Sequence, residues 1–247
     1  MAKLVIGNNK TVGVPVITKE IEKLPALGLM RAKDENGKLI PSRTESQIID
    51  FTGVTDIGDY VLAYAYSNNT AISGAVDMGD LTTVSGNNAC YYMFSNCTSI
   101  TSVDLSSLTT VSSSNGCNYM FGSCTGLISA NLSSLTTISG NYGCSSMLSG
   151  CSGITSVDLS SLTTISGNYG CSSMFGSCTS LTTVRIGNTT AIDFGTRTNQ
   201  FSNMFQGCTQ NIDVYAPAAS QSAIEAMSGY PNFGGTGTVT WHWNTAE

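Results

Sequence analysis

Residues 131–157 read NLSSLTTISGNYGCSSMLSGCSGITSV, and residues 158–184 read DLSSLTTISGNYGCSSMFGSCTSLTTV. Nineteen of the 27 aligned positions are identical. Residues 77–103 and 104–130 are diverged copies in the same register, and a further copy begins at Arg185. A degenerate copy precedes all of these. A fixed period of this length is typical of solenoids, in which each unit buries its apolar side against the next.

Each copy divides into segments with different hydrophobic periods. The unit Leu-Thr-Thr-Ile followed by Ser-Gly-Asn indicates a short strand and a turn. The junction between copies alternates apolar and polar residues, as a half-buried strand does. Between them lies Cys-x-x-Met-Phe-x-x-Cys, and the spacing of its four named residues predicts one face of a short helix, as at Cys171, Met174, Phe175 and Cys178. We therefore predict a repeat solenoid of short strands plus short helices.

The two ends of the chain differ from the repeats. We expect the solenoid to span residues 50–214, with a small appendage of residues 1–49 before it and a C-terminal cap of residues 215–247 after it. The appendage holds eight of the ten Lys and Arg residues. Because the degenerate first coil already covers the solenoid, we interpret the appendage as an anchoring or docking segment. Its apolar residues would contact a partner subunit or a second copy: Val14, Val16, Ile21, Leu27, Leu29 and Ile40.

The two terminal segments have further expected features. The alternative role for residues 1–49 is an N-terminal cap of the solenoid. In the C-terminal segment, Ser220 or Ser222 is expected to begin a helix that reaches Met227. Trp241 and Trp243 alternate with polar residues, which predicts a strand.

Composition narrows the classes of partner. Charged residues make up only 11% of the chain, and the net charge is −6. No Lys or Arg occurs between Arg43 and Arg185, so no nucleic-acid partner is expected, since phosphate binding needs clustered basic residues. No stretch approaches the roughly 20 apolar residues of a membrane span. The first residues also lack the apolar core of a signal peptide, so we expect neither a secretion signal nor membrane insertion.

The cysteines could be structural or could bind metal. Nine are present, in pairs such as Cys117 and Cys124. Seven helical residues span about 10.5 Å, beyond the ~7 Å limit between the Cα atoms of a disulfide. The count is odd, and the close pairs of zinc sites do not occur in the sequence. We interpret the cysteines as buried free thiols of the core.

Candidate catalytic groups are few. His242 is the only histidine, and we interpret it as a solvated strand residue. Asp77, Asp104 and Asp158 recur at one repeat position, with Asn131 between them. This pattern favours turn capping, and the alternative is an acidic ladder that binds a cation. The sequence therefore predicts no catalytic, cofactor-binding or metal-binding residue, and no cofactor.

One exposed motif could contact a ligand. The segment Gly-Asn-Tyr-Gly occurs in two consecutive copies. Its tyrosine ring and amide are suited to contact a sugar, so the predicted ligand-contact residues are Asn141, Tyr142, Asn168 and Tyr169. The alternative is a turn whose tyrosine packs on the tyrosine of the neighbouring coil.

The pattern MFxxCxxLxxVDLSSLTT resembles that of BspA-like leucine-rich repeats. Met120–Thr137 follows it except that Ala130 and Asn131 replace Val and Asp. The resemblance covers roughly residues 50–215 and departs from the family pattern in the turn inserted before the Cys-x-x-Met-Phe segment. It implies a right-handed, leucine-rich-repeat-like solenoid that binds other molecules at a surface. Such repeats are typical of bacterial surface adhesins and also occur in bacteriophage proteins.

Residues 1–49 resemble the N-terminal anchoring segments of phage virion proteins. The first hypothesis is therefore a non-enzymatic virion surface protein of the head-fibre, tail-fibre or capsid-decoration type, displaying the solenoid for adhesion to a host surface or a glycan. Residues 1–49 would bind a virion structural protein, and lysis would release the protein without a secretion signal. The alternative is a BspA-like adhesin of the bacterial cell surface, and an enzyme is the third choice.

Overall fold

The structure is a computed structural model that describes residues 3–4, 17–18, 51 and 53–245. The chain winds into a parallel β-solenoid of about seven turns, with coils of about 27 residues. The solenoid prediction is therefore confirmed. Each coil has three sides, which we name the short sheet, the turn face and the long sheet.

Both sheets are parallel, and each strand pairs with the strand one coil further on. The short sheet is built from the Leu-Thr-Thr segments and consists of β3 (Asp56–Ile57), β5 (Thr83–Val84), β7 (Thr110–Val111), β9 (Thr137–Ile138) and β11 (Thr164–Ile165). The long sheet is built from the junctions and consists of β4 (Gly74–Asp77), β6 (Ile100–Asp104), β8 (Ser129–Asn131), β10 (Ser156–Leu159), β12 (Thr183–Ile186), β13 (Ile212–Pro217) and β14 (Val239–Asn244). An antiparallel pair precedes them in the chain, β1 (Lys3–Leu4) and β2 (Ile17–Thr18).

The Ser-Gly-Asn corners set how closely the coils stack. A Cβ atom at Gly167 would lie only 2.0 Å from the carbonyl oxygen of Gly140 in the preceding coil. Only a residue without a side chain fits at such a distance. The repeated glycine therefore reflects a close backbone approach between coils.

The turn face contradicts the prediction of a short helix. The Cys-x-x-Met-Phe-x-x-Cys segments form overlapping turns, and the only α-helix among the described residues is α1 (Gln221–Glu225). Every second N–H bonds to the carbonyl three residues earlier, as from Met93 to Cys90 at 3.1 Å. The N–H groups between them bond to the next coil, as from Phe94 to Met120 at 2.7 Å. An α-helix would direct every one of these N–H groups to the carbonyl four residues earlier in the same segment.

Positive φ angles produce this alternation. In one coil Asn88, Tyr92 and Asn96 have φ angles of 53°, 53° and 59°, and every-fourth-residue patterns of this kind recur in the other coils. Left-handed backbone costs a non-glycine residue roughly 1–2 kcal/mol. Each of the three residues donates its N–H to the next coil, and so do Cys90 and Phe94, which lie midway between them. Two such bonds per left-handed residue, at about 1 kcal/mol each, offset the strain.

The predicted buried face of this segment is right, although the helix is wrong. All four residues of the Cys-x-x-Met-Phe-x-x-Cys pattern are buried in each coil that carries it. Phe94 stacks between Tyr66 and Phe121, with ring centroids 5.1 and 5.2 Å apart. The columns of Leu, Met and Cys expected along the core are thus present, and overlapping turns present them as a helix would.

The C-terminal segment continues the solenoid. β13 and β14 pair in parallel over six residues and extend the long sheet, so the expected cap is not confirmed. α1 lies between them and ends at Glu225, short of Met227. The Ser220 hydroxyl does not cap this helix and instead accepts the Ile192 N–H at 2.8 Å.

Residues 1–49 lie almost entirely outside the described residues. The structure describes only β1 and β2 of this segment. All six apolar docking residues proposed there lie outside the described residues. The docking interpretation of residues 1–49 therefore stays a prediction.

Truncation of a core aromatic tests the stacked core. Phe175 is fully buried and stacks on Phe205 at 6.0 Å. Phe175→Ala should lower the free energy of unfolding by about 3–5 kcal/mol because it leaves a cavity. The matched control is Phe175→Leu, which introduces the residue that Leu148 supplies one coil earlier and should cost less than the Ala variant because it leaves a smaller cavity. Chemical denaturation measures both, and an Ala variant as stable as the parent would contradict the packing described.

Candidate functional site

A cluster of tyrosines covers the N-terminal half of the turn face. Tyr64, Tyr92 and Tyr119 occupy equivalent left-handed positions in three successive coils. Their rings stack at 5.4 Å from Tyr64 to Tyr92 and at 4.5 Å from Tyr92 to Tyr119, with interplanar angles of 24° and 23°. Tyr91 packs edge-on against both Tyr64 and Tyr92. Together with Tyr60, these residues form what we call the tyrosine array.

The left-handed backbone explains why the array faces outward. From Tyr60 to Asn203, none of the left-handed non-glycine residues on the turn face is buried, because the core is filled by the residues between them. In the last coil, the left-handed Phe233 is an exception and is buried. Tyr60 is 61% exposed and Tyr64 is 49% exposed. Among the described residues only two other large hydrophobic side chains are comparably exposed, Ile128 and Tyr142. Exposed aromatic surface is therefore concentrated on this one face.

Polar groups surround the rings. The Asn96 side-chain amide donates to Asn68 Oδ1 at 3.0 Å, and the Tyr119 hydroxyl lies 3.1 Å from Ser123 Oγ. Burial, reinforced by the neighbouring tyrosines, raises the pKa of Tyr92 above its ordinary value. The array is thus a set of neutral rings with amides and hydroxyls at its margin.

The four predicted contact residues form a second patch on the same face. The Tyr142 and Tyr169 rings stack at 5.1 Å with an interplanar angle of 12°. Asn141 Oδ1 accepts the Asn168 N–H at 3.0 Å. The tyrosines do pack on each other, as the alternative interpretation expects, yet Tyr142 remains 40% exposed. The structure thus assembles the four residues without testing whether they bind anything.

The 27-residue alignment of the repeats does not show the tyrosine array, because the step from Tyr64 to Tyr92 is one residue longer than the repeat. Tyr64 precedes Tyr92 by 28 residues, whereas Tyr92 precedes Tyr119 by 27. The strict 27-residue alignment therefore places Tyr91, and not Tyr92, opposite Tyr64. Only the left-handed backbone positions show that the three rings belong to one column.

The repeated aspartates cap turns, as predicted. Asp77, Asp104, Asn131 and Asp158 lie in register across the long sheet. Oδ1 of Asp104 accepts the N–H of Ser106, two residues on, at 2.9 Å. The other three side chains accept the N–H two residues on in the same way. Among the described residues there is no group of three or more His, Cys, Asp or Glu side chains that could hold a metal ion.

A shallow groove runs over this part of the long sheet. Its volume is about 450 Å³, and β4, β6 and β8 line it. Ala130 of β8 occupies the position in register with Val103 of β6. The small and acidic side chains of the groove contrast with the aromatic turn face.

His242 is placed on the outer face of the long sheet, partly exposed as predicted. Its Nε2 lies 2.8 Å from Asp213 Oδ1, an ion pair when the imidazole is protonated. The His242 ring stacks on the Tyr215 ring, with centroids 4.6 Å apart. The Arg185 guanidinium also lies 4.6 Å from the centroid of the Tyr215 ring. The sequence did not indicate these partners. The register of β12 and β13 pairs Arg185 with Tyr215, and that of β13 and β14 pairs Tyr215 with His242.

All nine cysteines are buried and free, as predicted. Five of them form a column in which each thiol donates to a carbonyl of the preceding coil. Cys124 Sγ, for example, donates to the Phe94 carbonyl at 3.1 Å, and that oxygen also accepts the Cys97 N–H at 3.0 Å. Burial raises the pKa of Cys171 to about 12 and that of Cys208 to about 11. Cys171 and Cys208 are therefore protonated at neutral pH.

Comparisons with protein-family models, with curated proteins and with solved structures found no match. No helix in the described part of the chain has the length and apolar character needed to cross a membrane. The resemblance to BspA-like repeats thus rests on the sequence pattern alone.

The buried thiols predict a loss of stability at high pH. An unfolded thiol ionises near pH 8.5, whereas the folded Cys171 thiol holds its proton to about pH 12. Between these values the unfolded state binds fewer protons, so stability falls as pH rises, by about 1.4 kcal/mol per pH unit for each such thiol. Denaturation midpoints between pH 7 and pH 11 measure the slope. Cys171→Ala should make the slope shallower by one thiol's share, and an unchanged slope would contradict the assignment.

Proposed function

We propose that this protein is a non-enzymatic adhesion protein whose turn face binds glycans, displayed on a virion surface as a head-fibre, tail-fibre or decoration component. The observation that carries the proposal is the tyrosine array, with two rings about half exposed or more. An aromatic ring face matches the apolar face of a sugar ring, and the adjoining amides and hydroxyls can bond to sugar hydroxyls. The leucine-rich-repeat-like, BspA-like character of the repeats belongs to this proposal.

Tyrosine is well suited to such contacts. Its side chain supplies a large amphipathic area with few rotatable bonds, so little conformational entropy is lost on binding. Neighbouring rings hold each other in place, as Tyr92 does between Tyr64 and Tyr119. A site that is already ordered loses less free energy on binding than a flexible one. Tyr142 and Tyr169 offer a second, smaller patch of the same chemistry.

Placement on a virion is supported by the sequence resemblances. The repeat pattern is of a kind found in bacteriophage proteins, and residues 1–49 resemble virion anchoring segments. The alternative is a cellular BspA-like adhesin on a bacterial surface, which the same repeat pattern supports. Immunogold labelling of purified particles separates the two, because only a virion component labels the particles.

Removal of the exposed tyrosines tests glycan binding. A glycan array first identifies sugars that retain the wild-type protein. The double variant Tyr60→Ala, Tyr64→Ala should then bind the retained sugars at least about 10-fold more weakly, since truncating central aromatic contacts commonly costs more than 1 kcal/mol each. Titration calorimetry measures the affinities.

The matched control for this experiment is Ile128→Ala. Ile128 is 61% exposed, as Tyr60 is, but it lies next to β8 and away from the turn face. The control should bind as the wild type does. Loss of binding in the control alone, or retention of no sugar by the wild type, would contradict the proposed function.

A further inference from the structure

β14 is an edge strand whose outer side is open within the described part of the chain. The long sheet ends at β14, which pairs only with β13. The Ile212 N–H donates to the Thr238 carbonyl at 2.9 Å, and the register pairs Ile212 with Val239. These two facts set the phase of the parallel ladder, in which alternate residues direct both backbone groups to the same side.

The phase determines which backbone groups remain free. Thr240, His242 and Asn244 face β13, so Trp241 and Trp243 present their N–H and C=O groups outward. Nearer the start of the strand, the outward N–H of Val239 is already held by Asn232 Oδ1 at 3.3 Å. The middle of the edge therefore offers two donors and two acceptors, from Trp241 and Trp243.

This edge lacks the usual features that prevent pairing. Edge strands are commonly protected by a charge, a proline or a bulge. At the opposite edge of the long sheet, β4 has a register shift between Gly74 and Ala75 and ends on the exposed Asp77. β14 reads VTWHWN and has none of these features. Its one ionisable side chain, His242, is already paired with Asp213.

We propose that β14 pairs in antiparallel fashion with β14 of a second copy of this chain, across a two-fold axis at His242. In this register Trp241 of one chain lies opposite Trp243 of the other, and each such pair exchanges two N–H···O=C bonds. The four free groups of each chain are then all satisfied. A surface that complements itself in this way is what an isologous dimer requires.

Other registers satisfy fewer groups. An axis at Trp241 would need the Val239 N–H, which Asn232 already holds. An axis at Trp243 would need Thr245, which lies beyond the end of β14. The axis at His242 uses neither of these residues.

The side chains fit the same partner. Trp241 and Trp243 lie on the core side of β14, partly buried, and their rings stack at 5.5 Å with an interplanar angle of 19°. Pairing places this stack beside the equivalent stack of the second copy and buries more of both. β14 contains no Lys, Arg, Asp or Glu, so two copies bring no opposed like charges together when His242 is neutral.

A cysteine at the axis tests both the partner and the register. In the proposed dimer the two 242 positions form a non-hydrogen-bonded pair with Cα atoms about 4.5 Å apart, within the ~4.4–6.8 Å range of disulfides. The nine native cysteines are buried. Mild oxidation of the full-length His242→Cys variant should therefore give a covalent dimer on a non-reducing gel. Thr240→Cys, on the same strand and face, leaves the two cysteines roughly 13 Å apart along the strands and should not cross-link.

The oligomeric state supplies an independent measurement. Light scattering should give the wild type twice its 25.8 kDa chain mass. Trp243→Pro removes an outward N–H that β13 does not use, so it should weaken the dimer at least 10-fold and leave the circular dichroism spectrum unchanged, whereas Trp243→Phe should remain dimeric. A monomeric wild type, equal cross-linking of both cysteine variants, or a series of higher masses from head-to-tail stacking would each overturn the proposal.

Discussion

Backbone hydrogen bonding between coils on the turn face is the constraint on which the rest of this structure depends. Two sides of each coil are strands, which exchange bonds with neighbouring coils as a matter of course. The third side must do so without strands, and it does so by sending alternate N–H groups to the next coil. Left-handed residues at every fourth position make this geometry possible. They also decide which side chains face outward, and so where the protein can carry a binding surface.

The cysteines follow the same logic inside the core. In the column of five thiols, each acceptor carbonyl already accepts an N–H from its own coil and also accepts the thiol of the next coil. The Phe94 carbonyl, for example, accepts both the Cys97 N–H and the Cys124 thiol. A thiol fills the small space and adds a donor without the cost of burying a charge. The cysteines therefore contribute packing and contacts between coils.

Much of the fold could be predicted from the sequence, because the repeat period and the spacing of the apolar residues can both be read from it. The 27-residue repeat, the buried Cys, Met and Phe columns and the aspartate turn caps all follow from residue spacing. The conformation of the Cys-x-x-Met-Phe-x-x-Cys segment does not, because a helix and a row of overlapping turns bury the same four positions. Nothing in the local sequence marks Tyr92 as left-handed, and its N–H bonds to the Asn118 carbonyl in the next coil. The 28-residue step from Tyr64 to Tyr92 also hides the tyrosine array from a 27-residue alignment, whereas Tyr142 and Tyr169 lie 27 residues apart and align.

On the turn face, backbone N–H groups bond between coils and not along a helix. Scalar couplings across hydrogen bonds, measured by NMR, identify the acceptor of a given N–H directly. For Tyr92 we predict a coupling to the carbonyl carbon of Asn118, 26 residues later, because the Tyr92 nitrogen lies 3.0 Å from the Asn118 oxygen. A coupling from the Tyr92 N–H to the carbonyl of Asn88, the α-helical acceptor, would contradict it.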